Sequence, residues 1–419
     1  MKMKWYWKTA IIFTVIVVVI VAAIGAKHLI HEYQLEHTDI PKLYFTGDIS
    51  EMEDKSDVRQ ISFKYVDDDQ TIDGFAEIKV QGSSSLYYEK KNYTLKFFED
   101  EALDNKLKID MGWGPQNKYC MKANWIDSTH ARNVVTAKLA AKVQNKYGLM
   151  TQAPNNGLID GFPVEIFNNG EFLGLYTFNI PKDAWQFAMD EDNPDHIVIC
   201  GEGWDPANLF KAEPDFETWA VEVGEESPET LEKMNRLFSF VKDSSDEEFK
   251  EHFEEYLNLD SALNYYIMTD LAWMYDNCGK NMLIATYDGM EWYLSLYDLD
   301  TSWGTSWDGL DINDYANNLL DMQGNNLFVR MENAFSEELA QRYFELRGDI
   351  LSNENIMAEF EAFKAQIPDL TFEREEERWI GYVDPERGRL PGEGYEQIQD
   401  YLETVSDRLD TKYSAWLAQ

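Results

Sequence analysis

Apolar and polar residues alternate with a period of two through most of the first half of the chain, and recur every three to four residues through most of the second. Strand-like alternation runs through KLYFTG, QISFKYVD and FAEIKVQG. It resumes after the small-residue turn Gly82-Ser83-Ser84-Ser85, in the stretch from Lys90 to Phe97. PVEIFNNGEFLGLY predicts a hairpin turning at Asn169-Gly170, because the turn needs positive φ and these two residue types tolerate it. One helix interrupts this half: Asp127 or Ser128 starts it, Val134, Val135, Leu139 and Val143 follow at helical intervals, and Gly148 succeeds it. Arg132 and Asn133 fall in its first turns. Ile180-Pro181 closes the β-rich part.

Residues 185–215 are irregular and rich in Trp, Asp and Pro. Helical periods then take over in LEKMNRLFSFVKD, DEEFKEHFEEYL and LDSALNYYIMTDLAWMYD. They resume after a Gly/Asn/Asp-rich loop at 305–326, in LFVRMENAF, SEELAQRYFELRGDILS, ENIMAEFEAFKAQI and the C-terminal YEQIQDYLETVSDRLDTKYSAWLAQ. A single hairpin breaks this half, MLIATY and WYLSLY split by Asp288-Gly289. The expectation is an α+β protein, β-rich over 41–182 and helical over 183–419.

Composition narrows the picture. With 419 residues, 44% of them apolar, the chain is long enough for a large core. A net charge of −40 repels nucleic acid and favours cations or basic partners. Three cysteines, Cys120, Cys200 and Cys278, have neither metal-ligand spacing nor a disulfide framework. At the N-terminus, Thr9 to Ala26 is uncharged and follows Lys2, Lys4 and Lys8. This predicts residues 1–8 inside the cell, a membrane span at 9–26, a connector at 27–40 and the folded region outside. The rival is a signal peptide cleaved near Gly25, which would leave a secreted protein.

Candidate chemistry gathers around the second-half hairpin. Asp276-Asn277-Cys278-Gly279-Lys280-Asn281 precedes it and Asp298-Leu299-Asp300 follows it. A hairpin brings both to one end of the same two strands. One carboxylate able to take a hydroxyl proton, with an amide oxygen and one or two carboxylates for a hard cation, makes a phosphoryl-transfer set. Upstream, a turn with free backbone N–H groups followed by a lysine-bearing strand is one way to hold phosphates.

These pieces stand in the order of a known family. QGSSSLYYEKKNYTLKF, NWIDSTHARNVVTAKLA, PVEIFNNGEFLGLYTF, DNCGKNM…WYLSLYDLDTSWG and LFVRMENAFSEELAQRYFELRGDIL together resemble the CotH kinase family, an atypical branch of protein kinases named for a spore coat protein. The resemblance spans about residues 41 to 415. It implies an atypical two-lobed protein-kinase-like fold, with a β-rich N-lobe and a helical C-lobe, and transfer of the ATP γ-phosphoryl group to Ser/Thr hydroxyls of a surface or coat protein. Carried over by position, Asp276 is the catalytic acid–base. Asn281, Asp298 and Asp300 hold a divalent metal (Mg, Mn or Ca). Gly82, Ser83, Ser84 and Ser85 cover the ATP phosphates, and Lys96 or Lys91 pairs with them; Arg132, by its place on the 127–146 helix, is a further cation an active site could use. The Gly-x-Gly-x-x-Gly loop of ordinary kinases is absent, and the 127–146 helix has no Glu to hold the lysine. Two other readings use the same residues: a non-catalytic CotH-like coat scaffold or adhesion module, and a glycosyltransferase with Asp298-x-Asp300 on a metal–nucleotide.

Overall fold

The computed structural model describes residues 17, 38–309, 318–380 and 393–418. The expected membrane span lies, Val17 apart, outside the described residues. Among those described, no helix is long and apolar enough to cross a membrane.

Seven strands of the first half close into a barrel. They are β1 (Lys42–Thr46), β2 (Arg59–Val66), β3 (Thr71–Gln81), β4 (Asn92–Phe98), β7 (Lys118–Lys122), β8 (Gly161–Asn168) and β9 (Glu171–Asn179). A separate two-stranded ribbon, β5 (Ile109–Asp110) and β6 (Pro115–Gln116), lies between β4 and β7 in sequence. The barrel order is β1-β2-β3-β4-β7-β9-β8, and parallel pairing of β1 with β8, Leu43 opposite Ile166, closes it. Alternation has its expected consequence: Phe45, Ile61, Phe63, Leu95, Tyr119, Tyr176 and Phe178 fill the interior as one cluster. The hairpin between β8 and β9 turns at Asn169 and Gly170, whose φ values of +52° and +86° are those the sequence demanded.

A second sheet, order β11-β10-β12-β13, comprises β10 (Ile197–Gly201), β11 (Trp219–Val223), β12 (Leu283–Thr286) and β13 (Trp292–Ser295). The last two are the expected hairpin. Strand β10 falls inside the stretch 185–215 expected to be irregular, and β11 lies just beyond it, where no element was expected. All five residues of β10 are buried, so it shows no alternation by which to be recognised.

Helix α1 (Arg132–Lys146) starts four or five residues later than its sequence suggests. Asn124 and His130 have positive φ, so the preceding segment is a turn, and an Asp127 carboxylate oxygen accepts from the Arg132 N–H at 2.8 Å. Among the described residues α1 is followed by α2 (Pro228–Asp243), α3 (Asp246–His252), α4 (Leu259–Leu271), α5 (Asn326–Arg347), α6 (Asn353–Lys364), α7 (Asp369–Trp379) and α8 (Glu393–Leu417). Helix α5 joins two expected segments across a kink at Phe335. Helix α7 was not expected: only Thr371, Phe372, Glu375 and Trp379 are buried along it, too sparse an apolar stripe to stand out. Helices, second sheet and α1 share a core distinct from the barrel's.

Candidate active site

A cleft of about 500 Å³ runs between the outer face of the barrel and the second sheet. Its walls include the turn after β3, strands β4 and β7, the ends of β10 and β11, the loop after α4 and the loop after β13.

Gly82 begins the turn with a φ of +120°. A Cβ there would stand 1.8 Å from the Ser85 hydroxyl, so glycine is required. Gly82, Ser83 and Ser85 line the cleft; Ser84 opens the short helical turn Ser84–Tyr87. On β4 and β7 the odd positions Tyr93, Leu95, Tyr119 and Met121 fill the barrel. The even ones face outward, and Asn92, Thr94, Lys118, Cys120 and Lys122 line the cleft. Lys96 shares that outer face but lies beyond the cleft, half exposed and 4.0 Å from Glu77. Lys91 turns back to donate to the Leu86 carbonyl at 2.6 Å. Arg132 is also outside the cleft lining. It is buried, ion-paired with Asp127, and donates to the Ser302 carbonyl at 3.1 Å and to Gln397. Of the cations expected from sequence to meet phosphates, none lines the cleft.

Other lysines do: Lys55, Lys79, Lys90, Lys118, Lys122, Lys182 and Lys280, against the carboxylates Glu202, Glu222, Asp276, Asp298 and Asp300. Sequence reading passed over Lys122 and Lys182. The alternation in KYCMK was the available signal for Lys122, since it puts lysine outward at both ends. Lys122 lies 3.6 Å from Asp298, and Lys182 lies 2.5 Å from Glu222 of β11. Both ammoniums pack on the ring of Tyr297, at 5.5 Å and 4.3 Å from its centre. Cys200, Glu202 and Glu222 also bring ligand atoms within 4.8 Å of one another. There the Lys182 ammonium already pairs with Glu222.

The loops after α4 and β13 meet as the sequence implied. Asp276, Asn281, Asp298 and Asp300 all line the cleft. The buried side chain of Asn277 ties the loops together, its amide donating to the Tyr297 carbonyl at 3.0 Å. Asn133 of α1 accepts from the Leu299 N–H at 3.1 Å, fixing the Asp-Leu-Asp segment from the other side. Asn281 and Asp298 both have positive φ, +60° and +56°. That region costs Asn and Asp less than most residues and is common at functional sites.

Electrostatics separate the carboxylates. Burial raises the Asp276 carboxyl above its usual range, Lys280 at 4.0 Å opposes the shift, and Asp298 adds to it. Burial, then the neighbouring Asp298, push Asp300 up to about 8. Asn281, Asp298 and Asp300 present oxygen donors only, the set that hard divalent cations take. Burial raises all three thiols, which are free, so none is primed as a nucleophile. Asp270, upstream on α4, is fully buried on Lys412 at 2.7 Å and Tyr413 at 2.8 Å, outside the cleft lining.

The Asp300 shift makes a stability prediction. The folded carboxyl keeps its proton to about pH 8, whereas the unfolded one loses it near the ordinary 3.8. Its contribution is therefore complete at low pH and is lost as pH rises toward 8. Without divalent cations, Asp300→Asn is expected to flatten that loss and raise the melting temperature by about 1–3 °C at alkaline pH. Thermal melts at about pH 5 and about pH 8.5 check it. Parallel pH dependence in the two proteins would discard the explanation.

No curated protein matches the chain. A family model, CotH kinase protein, matches residues 78–409, a span that begins inside β3 and holds Asp276, Asn281, Asp298 and Asp300. The chain therefore belongs to the CotH kinase family.

Proposed function

We propose that the protein is a metal-dependent kinase of two-lobed architecture, with the barrel as N-lobe and the helical half as C-lobe, moving the ATP γ-phosphoryl group to Ser/Thr hydroxyls of a surface or coat protein. One observation carries the reading. In a chain of net charge −40, one cleft is lined by several lysines, Lys122 and Lys182 among them, beside an Asp, an Asn and an Asp-x-Asp that supply acid–base and oxygen-donor groups. Family membership supports a kinase-like enzyme.

Asp276, half-buried, orients the acceptor hydroxyl and takes its proton as the oxygen attacks the γ-phosphorus and the bond to ADP breaks. Asn281, Asp298 and Asp300 would hold the divalent cation, whose positive charge would offset the charge on the transferred phosphoryl group. Lys122 and Lys182 take the phosphate-pairing role that the resemblance gave to Lys96, and Glu222 fixes Lys182 in place of the glutamate that α1 lacks. N–H groups of the Gly82–Ser85 turn complete the phosphate site. The acidic surface favours a basic acceptor, and the N-terminal segment would hold the enzyme on the outer face of the cell membrane.

Calorimetric titration with Mg·ATP, and transfer of labelled γ-phosphate to basic Ser-containing peptides, test the reading; if neither is detected with Mg, Mn or Ca, the proposal fails. A finer test addresses the lysines. Lys122→Met or Lys182→Met should each weaken ATP binding about 10–100-fold, the cost of one charge-assisted hydrogen bond. Lys96→Met should leave it within about twofold. The reverse ranking would return the phosphate-pairing role to Lys96.

A further inference from the structure

Helix α7 sits against the barrel strand β9, and the contact is built from buried charge. Glu375 accepts from the Leu175 N–H at 2.7 Å and pairs with Lys90 at 2.5 Å; neither side chain is more than 9% exposed. The same Lys90 ammonium donates to the carbonyls of Leu175 and, at 2.9 Å, Ala123. Gly174 makes the approach possible. A Cβ there would stand 2.8 Å from Lys90 Cε, 2.9 Å from Glu375 Oε2 and 3.2 Å from Trp379 Nε1. One turn further along, Trp379 packs edge-on to Trp125, whose ring stacks with Tyr88; both of these line the cleft.

One arm of this contact reaches the proposed phosphate site, since Lys90 and its partner Ala123 both line the cleft. Lys90 stands between the Gly82–Ser85 turn and β4, and Ala123 directly follows Lys122. Asn92 joins the two, accepting from the Ala123 N–H at 2.6 Å and donating to Ser85 at 3.2 Å. A surface helix needs no buried ion pair to dock, since apolar residues of similar volume serve as well or better. What such a pair adds is a fixed position, with hydrogen bonds of set direction on every atom.

We propose that α7 is a positioning brace for the nucleotide: through Glu375 and Lys90 it holds the Gly82–Ser85 turn and Lys122 at the separation that ATP phosphates require. The inference rests on the kinase reading and adds to it a helix that contributes no residue to the cleft lining.

Two variants test it in the full-length protein, with Mg·ATP affinity, KM for ATP and kcat measured on each. Lys90→Met with Glu375→Leu removes the pair without stranding a buried charge, so the fold should survive. Glu375→Gln leaves Lys90 without its counter-charge and disturbs the geometry further. Both should weaken Mg·ATP binding and raise KM about 10–100-fold, the effect of misplacing groups by roughly an ångström. In both, kcat at saturating ATP should stay within a few-fold, since Asp276 and the acceptor are untouched. A purely structural pair predicts the opposite split, with fewer active molecules, lower kcat and an unchanged KM. Should Glu375→Gln not fold, the double variant decides alone, and unaltered ATP affinity in it overturns the brace. Failure of the kinase reading shows separately, as no Mg·ATP binding by the unaltered protein.

Discussion

Asp298→Asn is expected to abolish metal-dependent ATP binding and phosphoryl transfer together. Asp298 is the carboxylate on which the site's charges converge: Lys122 lies 3.6 Å away, and Asp276 and Asp300 both respond to its charge. Replacing it by an amide removes a cation ligand and leaves Lys122 without its nearest counter-charge. The near-isosteric change suits the positive φ at this position, which Asn tolerates as readily as Asp. The loss should therefore reflect binding rather than unfolding. Calorimetry with Mg·ATP and Mn·ATP, beside thermal melts, separates the two. Normal metal–nucleotide affinity in a folded variant would mean the cation is held elsewhere, with Asp300 the next candidate.

Asp276→Asn should behave differently. Asp276 is expected to meet the acceptor and not the metal, so ATP and cation binding should persist while transfer falls about 10²–10⁴-fold, as for a lost general base. Burial raises the Asp276 carboxyl, the direction that makes its carboxylate a better proton acceptor. Single-turnover transfer from pre-bound ATP reads the chemical step directly. Wild-type transfer by this variant would take the base role away from Asp276.

Short-range signals were legible in the sequence, and contacts between distant segments were not. The Asn169-Gly170 turn announces its hairpin because few residues tolerate two positive φ values in a row, whereas at Asp288-Gly289 the glycine alone has one. The convergence of Asp276 and Asn281 with Asp298 and Asp300 follows from one such hairpin. Lys96 illustrates the limit. It stands at a plausible spacing from Gly82, but spacing along β4 does not say where the cleft ends. Only the pairing of β4 with β7 shows that Lys118 and Lys122 occupy the wall instead. Lys182 and Glu222 are forty residues apart and meet only because β11 joins the second sheet. Arg132 looked available in sequence. Its partners Ser302 and Gln397 come from segments far down the chain, which no local pattern could reveal.

The way the barrel closes bears on how the protein can be cut. The stretch matched by the family begins at residue 78, part-way along β3, so a recombinant fragment trimmed to it would lack β1, β2 and most of β3. Leu43, Phe45, Ile61, Phe63 and Tyr65 would be gone from the interior, baring the aromatic residues they cover. Strand β8 would lose its β1 partner, and β4 much of its β3 partner, leaving two raw sheet margins that invite self-association. Such a fragment should collect in inclusion bodies even though it keeps the aspartates of the cleft. A fragment starting near residue 38 keeps the staves of the barrel complete and should remain in solution.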